Sequence, residues 1–150
     1  MGEPAVSFRG TFTHSLDGKG RLTIPVRMRA GLEEGLVLTR GFGSYLVLYP
    51  EAVWNEQERI VNGLPRTSAE RDVFTRWTFG GGVDVALDSL GRILIPDHLR
   101  EYAGLGDQAV IVGANDAIEI WSVERHREIV MQDRDRLPEI LKSLSEKSLL

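Results

Sequence analysis

The sequence predicts an α+β chain in which two related β-rich units pack about a pseudo-two-fold axis and share one core, with helices at the periphery. Three observations carry that expectation. First, the stretch Leu16-Asp17-Gly18-Lys19-Gly20-Arg21-Leu22-Thr23-Ile24-Pro25-Val26-Arg27-Met28-Arg29 returns 71 positions later as Leu87-Asp88-Ser89-Leu90-Gly91-Arg92-Ile93-Leu94-Ile95-Pro96-Asp97-His98-Leu99-Arg100, with seven identities in fourteen positions. Two units are too few for a solenoid, so the repeat reads as a tandem pair. Second, halves of roughly 70 residues bury only about 60% of their unfolded surface and are marginal alone, which favours a shared core or an oligomer. Third, each repeat is followed by two apolar runs around a short loop, the pattern of a hairpin, and then by helical periodicity.

Each copy of the repeat has a local physical reading. Asp-x-x-Gly between apolar residues is turn chemistry: the carboxylate accepts from backbone amides just ahead of it, and Gly adopts a positive φ without steric penalty. The Arg after the Gly stands where a strand leaves the turn. Pro25 and Pro96 then end the strand, because proline has no amide hydrogen, and suit the start of a short helix. Each copy therefore reads strand, tight turn, strand, Pro, short helix. An ion pair within the turn, stiffening the loop, accounts for Asp and Arg in either copy taken alone.

Phe8–His14 reads as a strand entering the first turn, with Phe8 and Phe12 at strand spacing. Val26–Leu32 reads as a short helix ending near Gly31, and Gly35–Thr39 with Tyr45–Tyr49 as a hairpin around Arg40–Ser44. A helix is expected from Glu51 to about Val61, burying Val53, Trp54, Ile60 and Val61. Thr67-Ser68-Ala69-Glu70 has capping-box spacing before a helix with the apolar stripe Val73, Phe74 and Trp77, stopped by Gly80-Gly81-Gly82. Val83–Leu87 alternates as a half-buried strand, the helix after Pro96 runs to Tyr102 with Gly104 as its cap, and Ala109–Gly113 with Ala117–Trp121 form the second hairpin. Ser122 N-caps a helix to about Arg136, where Pro138 interrupts it.

Composition excludes several classes. There are no cysteines, hence no disulfide framework, thiol nucleophile or Cys-based zinc site, and no metal or cofactor is expected. Met1–Ser7 has neither a basic nor an apolar leader region, and no run approaches the ~20 apolar residues of a membrane span, so a soluble chain away from the membrane is expected. The net charge of −4 argues against uniform coating of nucleic acid. Its distribution differs between the copies. Residues 9–29 carry Arg9, Lys19, Arg21, Arg27 and Arg29 against Asp17, a local +4, whereas residues 80–100 sum to −1. One copy is suited to a polyanion and the other to architecture.

With both Asp-x-x-x-Arg turns, the Ile-Pro steps, and Leu-Tyr-Pro and Ile-Trp-Ser closing the second hairpins, residues 8–130 resemble the MraZ family. The resemblance implies a tandem of AbrB-like swapped-hairpin units: 8–54 as the first, DNA-reading unit, 55–78 as connecting helices, 79–127 as a more acidic, structural second unit, and 128–150 as a helical tail. It implies a cytoplasmic, nucleoid-associated regulator that binds double-stranded DNA at repeats in the promoter of the division and cell-wall gene cluster, generally as a repressor, and assembles into a ring-shaped homo-oligomer. Carried over residue by residue, the DNA-facing set is Lys19, Arg21, Arg27, Arg29 and Arg92, with Asp17, Gly20, Asp88 and Gly91 orienting the loops. Leu90 stands where the first copy has Lys19, which weakens the case for an equal second turn. A guanidinium suits guanine O6 and N7 bidentately, while Lys19, Arg27 and Arg29 suit phosphates.

Two rival readings follow from the same residues. An enzyme has thin ingredients: His14, His98 and His126 stand in no nucleophile or metalloprotease motif. The second rival is an oligomeric interaction module of the same fold that binds a protein partner and no DNA. The basic charge gathered at one turn and not the other argues against it.

Overall fold

The strands on either side of each repeated turn do not pair with one another. In a computed structural model describing residues 7–150, β1 (Thr11–Ser15) enters the first turn and β2 (Arg21–Thr23) leaves it. Beyond the hydrogen bonds of Asp17 that close the turn itself, a single bridge, Leu16 to Leu22, links the two sides among the described residues. The second turn lies between β5 (Val83–Val85) and β6 (Arg92–Leu94). β2 pairs antiparallel with β6 about Leu22–Ile93, so the two turns are tied back to back. β1 crosses to β7 (Gln108–Gly113) of the second half, and β5 crosses to β3 (Leu36–Arg40) of the first.

Two hairpins complete the sheet. β3 pairs with β4 (Leu46–Pro50), and β7 with β8 (Ile118–Trp121). β4 and β8 meet in the middle with Val47 opposite Glu119, Leu46 opposite Ile120 and Leu48 opposite Ile118. The order β1-β7-β8-β4-β3-β5 is unchanged when the halves are exchanged, which is the expected pseudo-two-fold. Each half lends its first strand to the other.

That exchange dictates one core. Alternate residues of the hairpins (Leu36, Leu38, Leu46, Leu48, Ile111, Ile118 and Ile120) face inward, because strand side chains alternate. They pack in a single cluster with Leu22, Ile24, Ile93 and Ile95 from the turn strands. Met28 of α1 (Val26–Arg29, continued by a 3₁₀ turn Ala30–Leu32) and Leu99 of α4 (Asp97–Ala103) join it. Gly104 ends α4 in the left-handed conformation, φ 64°. The opposite parity of the first hairpin buries Val37, Thr39 and Val47. α2 (Glu51–Asn62) and the π-helical turn Thr75–Phe79 that continues α3 (Ala69–Phe74) contact this hairpin. There the Thr39 hydroxyl donates to the Thr78 carbonyl at 2.6 Å. Arg40 lies over the Trp77 ring at 3.9 Å and donates to the Trp77 carbonyl at 2.9 Å. A Cβ on Gly81 would meet that Arg40 side chain, so the Gly-rich stop marks a close approach.

Several local expectations are corrected. β1 starts at Thr11; Phe8 lies beyond Gly10 (φ 99°) and bridges Asn115. Ser68, not Thr67, caps α3, its Oγ accepting from the Arg71 amide at 3.1 Å. Ile60 is exposed on α2 while Trp54 and Val61 carry the buried side, and Val73 is exposed on α3. α5 (Val123–Glu146) runs through Pro138 as one helix capped by Ser122. Proline deprives a carbonyl one turn back of its donor, but this helix has no buried residue, and an exposed helix tolerates that loss better than a buried one. Of the stretch read for a leader, Met1–Val6 lie outside the described residues.

Candidate nucleic-acid interface

The two turns are near copies at atomic detail. In the first, Asp17 Oδ1 accepts from the amides of Lys19 at 3.0 Å and Arg21 at 2.9 Å, while Oδ2 accepts from Arg21 Nε at 2.7 Å. In the second, Asp88 Oδ1 accepts from Leu90 and Arg92 amides, both at 2.9 Å, and Oδ2 from Arg92 Nε at 2.8 Å. Gly20 and Gly91 take φ of 88° and 76°, which lets their amides return to the carbonyls of Asp17 and Asp88 at 3.0 Å each. Each aspartate thus fixes the loop backbone and the arginine side chain together. The amides and guanidinium that converge on it favour its charged form. The Arg21 amide foremost holds the Asp17 pKa down to about 2, and the Arg92 amide lowers that of Asp88.

The arginines are aimed differently. Arg21 commits Nε to Asp17, and its two terminal amino groups have no protein acceptor among the described residues. Arg92 also leans across the ladder, Nη1 standing 3.9 Å from Asp17 Oδ2, and its side chain is 25% exposed against 36% for Arg21. No converse contact from Arg21 to Asp88 is present among the described residues. Lys19 is exposed at the first tip, where the second carries the exposed Leu90. Arg27 is exposed on α1. Asp17, Lys19, Arg21, Asp88 and Arg92 are thus gathered at the paired turns.

Arg29 behaves otherwise. It is half-buried, its Nε donates to the Ile24 carbonyl at 2.9 Å, and its guanidinium lies against Gly91 of the other turn. Arg100, its counterpart in the repeat, lies against Gly20 in the same way and pairs with Asp97. Neither destination is visible from residue spacing, which reveals a cation after Ile-Pro but not its partner. The histidines are dispersed: His14 on β1, His98 exposed on α4, and His126 edge-on to Trp121 at 6.5 Å. Among the described residues, no three His, Asp or Glu side chains are grouped to hold a metal ion, and no helix is long and apolar enough to cross a membrane.

A duplicated β unit whose halves exchange strands, with an aspartate-braced arginine turn in each, defines a tandem swapped-hairpin protein. The family model described as "MraZ protein, putative antitoxin-like" matches residues 7–77 and again 78–142. The chain belongs to the MraZ family. It is 45% identical over 138 residues to a Herpetosiphon aurantiacus protein named Transcriptional regulator MraZ, covering 92% of this chain and 96% of that one. Proteins of the same name from Roseiflexus castenholzii and Moorella thermoacetica are 50% identical over 123 residues (82% of this chain, 86% of the relative) and 41% identical over 129 residues (86% and 90%). These relatives bear a regulator's name and no enzyme's.

Proposed function

We propose that the chain is a sequence-specific DNA-binding transcriptional regulator, a repressor acting on repeats in the promoter of the division and cell-wall gene cluster. It acts by binding, without catalysis, and works in the cytoplasm at the nucleoid. The observation that carries this reading is the Arg21 guanidinium, braced at Nε by Asp17 and leaving its terminal amino groups clear beside exposed Lys19. A planar fork already oriented loses less entropy on meeting a guanine edge and reads O6 and N7 together. Lys19 and Arg27 supply phosphate contacts, which position without specifying. Arg92 contributes less, because it also answers to Asp17 and has Leu90 as its neighbour.

One turn makes few contacts, so an acidic chain needs many turns on one duplex, and a homo-oligomeric ring supplies them through effective concentration. Self-association is supported by an apolar groove of about 730 Å³ lined by Phe42, Ala69, Val73, Phe74, Trp77 and Tyr102, with Val73 59% exposed. Its occupant is the distal half of α5 from a second copy. Val130, Arg134, Leu137, Leu141 and Leu144 recur along one face of that helix, and Arg134 is the counter-charge for Glu70 in the groove. Within one chain α5 starts beside the groove, where Arg125 donates to the Tyr102 carbonyl at 2.9 Å, and then runs on without turning back. Groove and helix are different surfaces, so the contact is head-to-tail and closes into a ring when the rotation permits.

The test is a titration against a duplex from the chain's own upstream region at two salt concentrations, with Arg21→Ala alongside. Salt-sensitive, sequence-preferring binding that Arg21→Ala removes, with oligomer mass unchanged, is the expected result. No preference for that duplex over a scrambled one would transfer the turns to protein recognition, the reading of an interaction module.

A further inference from the structure

Arg29 and Arg100 form a reciprocal pair across the two turns. Each comes from the helix after its own Ile-Pro step and places its guanidinium on the glycine of the other turn. A Cβ on Gly20 would stand 2.8 Å from Arg100 Cζ and 2.7 Å from the Ile95 carbonyl oxygen; a Cβ on Gly91 would overlap Arg29 Cζ and Nε. The same glycines are held from the ladder side, where the Gly91 carbonyl accepts from the Ile24 amide at 2.9 Å and the Gly20 carbonyl from the Ile95 amide at 2.8 Å. Both glycines are buried, although each belongs to a turn whose tip is exposed.

We infer that Arg29 and Arg100 are positioning residues that clamp each turn to the other unit and fix the separation and tilt of the two arginine tips, and that Arg29 is not a phosphate ligand. The inference rests on the DNA reading of the turns and deepens it. A guanidinium does this where an ammonium does not: its broad planar head fills the space beside a residue without a side chain. At Arg29 the Nε also donates to the Ile24 carbonyl, whereas Arg100 Nε is buried with no partner among the described residues. The device also explains why the glycine must be there twice. Positive φ is one demand, and the opposite unit's guanidinium, filling the space a Cβ would occupy, is a second and independent one.

The clamp and a phosphate contact give opposite results for one conservative change. Arg29→Lys keeps the positive charge and loses the flat fork. As a positioning residue, Arg29→Lys lowers affinity for the specific duplex roughly tenfold, about what one good base contact contributes, and leaves non-specific binding and the salt slope as in the parent chain. It also shifts the Leu90 and Gly91 amide resonances in the absence of DNA. Gly91→Ala, which displaces the guanidinium without removing it, produces the same loss. Arg27→Ala is the comparator, lowering the salt slope by about one. The inference is overturned if Arg29→Lys binds like the parent chain, if Arg29→Ala lowers the salt slope as Arg27→Ala does, or if the Leu90 and Gly91 amides stay in place. A parent chain that binds no duplex would defeat the DNA reading alone, since the amide shifts report the clamp without DNA.

Discussion

At the scale of single residues, Asp17 does the most with the fewest atoms. One carboxylate accepts two amides and a guanidinium, and Arg92 of the other turn approaches the same oxygen. Its pKa of about 2 lies below the ordinary aspartate value, so its stabilising contribution is complete above about pH 4 and is lost as pH falls through about 2. Asp88 is shifted in the same direction. The expected outcome is a carboxylate carbon resonance of Asp17 that titrates well below that of an exposed aspartate, and turn amides that do not move between pH 5 and 8. A turn that titrates near pH 4 would mean that the brace is absent in solution. This brace was legible in the sequence, because Asp and Arg four apart around a Gly admit a local explanation. The place of Arg29 was not, because its partner glycine is 62 residues away and belongs to the other copy of the repeat.

At the scale of elements, β2 and β6 have three residues each, too short to persist as an isolated ladder. They are held by Leu22 and Ile93, opposite one another and fully buried. Leu22→Ala or Ile93→Ala should each cost about 2–5 kcal/mol by denaturant unfolding. The double variant should cost less than their sum, since the two share one cavity; strict additivity would mean that they do not act as a pair. Strand identity and the helices after each proline were readable from period and punctuation. Strand partners were not, because alternation tells which face of β1 is buried but says nothing about which strand lies beside it. The cap of α3 and the continuation of α5 past Pro138 were missed for related reasons. Thr67 and Ser68 both offer a hydroxyl, and an exposed helix tolerates a proline that a buried one would not.

At the scale of the whole molecule, the exchange of β1 and β5 makes neither half self-sufficient. Residues 7–77 expressed alone would carry a β3 edge without β5 and a β1 without β7. Such a fragment should be unfolded, or should sediment as a dimer in which two copies trade first strands. A folded monomer would contradict the topology. The same scale holds the assembly prediction. Val73→Glu in the groove and Leu141→Glu on α5 should each lower the oligomer mass measured by light scattering while circular dichroism stays unchanged. A mass unaffected by both would place the contact between copies elsewhere. The tandem plan and single core were foreseeable from the 71-residue repeat; the groove was legible only as a stripe, because Val73, Phe74 and Trp77 at helical spacing describe a core face as readily as a subunit contact.

Fusing the two units in one chain has a geometric consequence. A dimer of identical units must present two identical tips, and a duplex laid across them meets the same chemistry when turned end for end. Here the tips differ, Lys19 on one and Leu90 on the other, with Arg92 drawn toward Asp17 and no reciprocal contact from Arg21 to Asp88 among the described residues. The paired turns therefore have a head and a tail. A surface with an intrinsic sense of direction distinguishes the two orientations of an asymmetric ligand, and copies set head-to-tail around a ring would all point the same way.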